Sequence, residues 1–81
     1  MSGPAPVESI LAEASQAFAR QRYEEAAAGY ERCIALAPRQ PALHFNLGTA
    51  LEKAGDLGRA VGAYLAAWRL NPKDARLALF A

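Results

Sequence analysis

Residues 41–72 read PALHFNLGTALEKAGDLGRAVGAYLAAWRLNP, and this stretch decides the fold. Pro41 suits the first turn of a helix, where its missing N–H has no intrahelical acceptor in any case. From there Leu43, Leu47, Ala50, Leu51 and Ala54 align along one helical face. Gly55-Asp56 ends that helix, glycine being the least costly residue for a left-handed C′ position. A second helix starts at once, with Leu57, Val61, Tyr64, Leu65 and Trp68 at offsets 0, 4, 7, 8 and 11 as its expected apolar stripe. Asn71-Pro72 closes it, because proline disfavours the helical conformation in the residue before it.

The same order of signals runs upstream. Val7, Ile10, Leu11, Ala14 and Phe18 lie at offsets 0, 3, 4, 7 and 11, a helical stripe that does not fit the alternation of a strand. A further helix is expected from about Glu24 to Leu36, with Ala27, Tyr30, Ile34 and Ala37 as its stripe and Pro38 as its stop. Beyond Pro72, Lys73 to Ala81 restarts the helical pattern with Leu77 and Phe80. Short connections make neighbouring helices pack as antiparallel pairs. Composition agrees: 20 Ala and 10 Leu stand against only five β-branched residues in 81, so the fold class is all-α.

Several function classes are disfavoured by simple counting. Nine basic against eight acidic side chains give no general electrostatic reason to bind nucleic acid or an anionic membrane surface. Cys33 is the one cysteine and His44 the one histidine, so neither an internal disulfide nor a protein-only zinc site can form. No cofactor is expected. Met1 to Pro6 lacks the basic and apolar regions of a secretory signal and is expected to be a disordered lead-in. No apolar run approaches the roughly 18–20 residues needed to span a bilayer, so membrane insertion is not expected and a soluble, cytoplasmic chain is. The apolar end Ala75 to Ala81 stops without a helix-ending signal, which suggests truncation from a longer protein or a tail that packs on something.

Sliding residues 7–40 onto 41–74, a shift of 34, superposes Ala26 on Ala60, Tyr30 on Tyr64, Leu36 on Leu70 and Pro38 on Pro72. With this register the sequence resembles the tetratricopeptide repeat family. The second copy carries its pattern best, through Leu47-Gly48, Ala60, Tyr64, Ala67 and Pro72. It departs at His44 and Leu51, where the family usually has Trp and Tyr. The first copy keeps Ala14, Ala26, Tyr30 and Pro38, has Cys33 at a small-residue position, and places Glu13 where Leu is usual. The resemblance implies an α-solenoid of helix–turn–helix units: a lead-in over 1–6, repeats over 7–40 and 41–74, and the start of a capping or third-repeat helix over 75–81.

Packing physics gives the signature its meaning. Ala14, Ala26, Gly48 and Ala60 are small because two antiparallel helices must approach closely where they cross. Tyr30 and Tyr64 then fill the wider space beyond the crossing. No side chain set supports catalysis. The hydroxyls of Ser2, Ser9, Ser15 and Thr49 and the Cys33 thiol have only His44 as a base, and His44 reads as structural. Cys33 reads as a buried, inert thiol. Glu24-Glu25 suits the positive end of a helix dipole better than an acid–base pair.

A stacked array lines its concave side with the first helix of each unit. The resemblance therefore implies a groove for a peptide or partner helix. It would be faced by Glu8, Leu11, Ala12, Ser15 and Ala19 in the first copy, and by Ala42, Phe45, Asn46, Thr49 and Lys53 in the second, with Arg76 and Phe80 beyond. Asn46 matches a place where some family members use Asn to hold a peptide backbone; simple solvent exposure is the alternative. Phe45 either floors the groove or packs on a neighbouring helix. Arg76 falls at a carboxylate-clamp place, but Leu11, Ser15 and Phe80 occupy the other three, so that specificity is not assigned. Two units and a stub are also short for a repeat array. Self-association through the C-terminal helix, a structural role, or a fragment of a larger protein whose activity lies elsewhere are the other expectations.

Overall fold

A computed structural model describes residues 6–73. The expected lead-in over 1–5 and the fifth helical segment with Arg76, Leu77 and Phe80 lie outside them. Four helices follow in order: α1 (Pro6–Ala19), α2 (Tyr23–Leu36), α3 (Pro41–Lys53) and α4 (Leu57–Leu70). Each packs on its neighbour in sequence, α1 on α2, α2 on α3 and α3 on α4. This nearest-neighbour stacking is the arrangement of a helical repeat array.

The core cluster is built mostly from alanine: Ala14, Ala17, Ala26, Ala27, Ala50, Ala60 and Ala63, joined by Tyr30, Leu47 and Leu51. Alanine buries little area per residue, so the stabilisation rests on how closely the helix backbones approach. Two glycines set that approach. A β-carbon on Gly29 would lie 2.7 Å from the β-carbon of Ala14, and one on Gly48 would lie 2.8 Å from two ring carbons of Tyr64. The alanine richness of the sequence is thus the packing solution of the fold.

The turns within the two copies are backbone twins. Gly55 takes φ +89°, with its N–H on the Glu52 carbonyl at 3.0 Å and that of Asp56 on Leu51 at 2.9 Å. This is a Schellman ending. Gln21, 34 residues earlier, takes φ +63° and the same two bonds form, Gln21 to Phe18 and Arg22 to Ala17. Asp56 also caps α4 by accepting the Arg59 N–H at 3.2 Å, whereas Arg22 offers α2 no side-chain cap. Between the copies, Ala37 and Asn71 end α2 and α4 with nearly equal dihedrals ahead of Pro38 and Pro72. His44 Nε2 meets the Pro38 carbonyl at 2.9 Å, fastening this turn to α3.

The expected stripe of α4 needs correction. Leu57 and Val61 are exposed to 62% and 46%, and the residues of α4 buried inside are Ala60, Ala63 and Ala67. The crossing with α3 selects small side chains, so Leu57 and Val61 lie away from it, while Tyr64 of the same expected stripe packs on α3. In α2 the buried set is likewise Ala26, Gly29 and Cys33 alongside Ala27 and Tyr30, and Ala37 serves as a half-buried cap residue.

Candidate partner-binding groove

The first helices of the two copies lie side by side and share a depression of about 390 Å³. Its walls are Ser15 and Phe18 from α1, Tyr30 from α2, and Phe45, Asn46 and Thr49 from α3. Four residues expected from the sequence, Ser15, Phe45, Asn46 and Thr49, therefore converge. Their spacing explains this: 45, 46 and 49 share one flank of α3 between its packing positions.

The α3 wall is held by a hydrogen-bonded chain from α4. The Tyr64 hydroxyl donates to Glu52 Oε1 at 2.7 Å. Thr49 Oγ1 donates to the Phe45 carbonyl at 3.1 Å and lies 3.2 Å from the Tyr64 oxygen, a contact in which either hydroxyl can be the donor. Burial, together with the Glu52 carboxylate, raises the Tyr64 pKa; the Thr49 bond opposes this. The Phe45 ring packs on Tyr64 at 5.4 Å, tilted by 59°, and lines the depression as well. Across the groove Phe18 meets Tyr23 edge-on at 5.2 Å.

The Asn46 amide and the Ser15 hydroxyl have no hydrogen-bond partner among the described residues. Among the described residues, no acidic or basic side chain lines the depression. These residues offer aromatic surface, an amide and hydroxyls.

Two expected residues stand elsewhere. Leu11 lines a neighbouring apolar hollow of about 270 Å³ with Val7, Ala37, Gln40, Ala42 and Leu43, and packs on the core cluster. Lys53 is exposed in the last turn of α3 and does not line the depression. Arg76 is outside the described residues. Phe18 and Tyr30 are groove residues that the sequence did not mark as such, because their positions read as packing positions. The overlap of the two roles, filler below and wall above, has no separate sequence signal.

The other titratable groups serve structure. Cys33 is fully buried, its thiol within 3.8 Å of the Val7 carbonyl, and burial raises its pKa despite Arg32 nearby. Arg59 pairs with Glu31 of α2 and, at 3.5 Å, with Asp56. These residues rim a hollow of about 300 Å³ on the second-helix side, with Glu24, Ala27, Ala28, Leu51 and Ala54. Among the described residues, no three His, Cys, Asp or Glu side chains are grouped to hold a metal ion. Among them too, no helix is long and apolar enough to cross a membrane.

Comparison with known proteins agrees with this architecture. A family model described as TPR repeat matches residues 15–55, spanning the second half of the first hairpin and the first helix of the next. Over 59 residues, 73% of this chain, the sequence is 41% identical to the TPR repeat-containing thioredoxin TTL4 of Arabidopsis thaliana. The chain spans only 9% of that relative's length.

Proposed function

This chain belongs to the tetratricopeptide repeat family, and from that premise we propose that it binds a peptide or partner helix in the groove between α1 and α3. Repeats of this family are generally protein-interaction modules. The observation that carries the proposal is the unpartnered Asn46 amide set among Phe18, Phe45 and Ser15 in one depression. An amide both donates and accepts, so it can pair with a peptide backbone irrespective of side-chain sequence. The aromatic walls supply the buried area that such a contact needs. The aromatic lining among the described residues favours a segment that presents an apolar side chain.

In this reading the chain is an adaptor or scaffold element of a cytoplasmic assembly and performs no catalysis itself. The Arabidopsis relative's name includes thioredoxin, a chemistry that requires two thiols. The single, buried Cys33 offers one. What is carried over from that relative is the interaction role alone.

A display library of random 12-residue peptides provides the test. Binders selected on the wild type should lose at least about tenfold in affinity to the Phe45→Ala/Asn46→Ala variant, with helicity retained. Binders that titrate equally against both proteins would place recognition on another surface.

A further inference from the structure

We propose that the outer face of α4 is a docking surface for a second copy of this chain, packed α4 against α4 about a two-fold axis. Leu57 and Val61 are exposed to 62% and 46%, and the half-buried Leu65 and Trp68 continue the same face. The 34-residue register maps Val61 onto Ala27, which is buried to 4% on α2, a helix flanked by both α1 and α3. On α4 the face continues an interface that the chain has already formed once. Gly58 and Gly62 lie next to it, and a β-carbon on either would meet nothing within 4 Å. Another helix therefore has room to approach closely.

The opposite end of the molecule decides which surface the second copy presents. Where α3 turns Leu43, Leu47, Ala50 and Ala54 toward the preceding unit, α1 has Ser9, Glu13, Gln16 and Arg20, all exposed. Glu13, a departure from the repeat pattern, thus stands on a polar outer face. Docking α1 of one copy on α4 of the next would bury Glu13 and Arg20 against Leu57 and Val61, so head-to-tail chains are disfavoured. Of the two outer faces among the described residues, α1 and α4, the apolar face of α4 matches itself. Antiparallel pairing brings Leu57 beside Trp68 of the second copy and Asp56 beside its Arg69, joining opposite charges and opposing the helix dipoles. Such an isologous contact closes at two chains.

Analytical ultracentrifugation of the whole chain at rising concentration tests this. A limiting mass of twice 8.6 kDa is expected. Val61→Glu should raise the dimer Kd by about tenfold or more, with unchanged helicity because Val61 is solvent-exposed in the single chain. Leu57→Lys repeats the test should Val61→Glu fail to fold. A mass of one chain up to millimolar concentration overturns the proposal. That result, with Val61→Glu lowering the Tm, would instead show the chain's own residues 74–81 covering the face. A dimer indifferent to both variants, or assemblies growing past two chains, would equally overturn it.

Discussion

The first and second helical hairpins use different residues for the same backbone. At the helix crossing, the first sets Gly29 on α2 against Ala14 on α1; in the second, the same register positions hold Gly48 on α3 and Ala63 on α4, and Gly48 lies against the Tyr64 ring. Each crossing omits one methyl, and the two omit it from opposite helices. In the turn, Gly55 supplies a positive φ that Gln21 must adopt against its own steric preference. At the outer ends, α1 is polar and α4 apolar. What the fold requires at these places is a volume and a dihedral angle, and different residues can provide them.

The largest effect should come from the first crossing. Gly29→Ala improves intrinsic helix propensity, yet its β-carbon would meet Ala14 at 2.7 Å and the Ala14 backbone at 3.3 Å. Backbone cannot yield as a side chain tip can. The expected net loss is about 1–3 kcal/mol, read by urea denaturation. An unchanged or raised midpoint would mean that the crossing is not close.

A smaller effect of opposite sign is expected in the turn. Gln21→Gly should stabilise the chain by about 0.5–1 kcal/mol, relief of the left-handed strain exceeding the extra entropy of an unfolded glycine. Loss of stability in this variant would show that Gln21 contributes through contacts rather than tolerating its position.

The smallest effect is a pH response carried by Tyr64 of the second copy. Tyr64 has a folded pKa raised above its ordinary value near 10. The unfolded chain therefore loses this proton first as pH rises. The contribution is fully present below the ordinary value and is lost as pH rises through the folded one. Between pH 9 and pH 12 the wild type should lose more stability than Tyr64→Phe, by thermal melts at matched ionic strength. Equal losses would show that burial and the Glu52 carboxylate do not raise the pKa of this phenol.

The fold was legible because helix stops are local. Pro38, Pro72 and Gly55 act on their own backbone, and the 34-residue register follows from them. Packing direction was less legible. In α4, Leu57 and Val61 satisfy a helical stripe as well as Ala60, Ala63 and Ala67 do, and hydrophobicity favours the larger residues. Only the distance between α3 and α4 reveals that the alanines face inward. The groove was half legible for a related reason. Asn46 and Thr49 fall between packing positions and could be recognised by that gap, while Phe18 and Tyr30 belong to the core and reach the groove from it. Gly29 carried no mark at all, because its role depends on Ala14 across the crossing.

The claim at the centre of this comparison is that each hairpin is set by one missing methyl, whichever helix omits it. The most direct measurement is the unfolding free energy of the double variant Ala14→Gly/Gly29→Ala beside its two single variants. The exchange gives the first crossing the residue types that Gly48 and Ala63 hold at the same register positions. The account predicts that the double variant recovers most of the stability lost by Gly29→Ala, ending within about 1 kcal/mol of the wild type. A double variant as unstable as the sum of its singles would contradict it.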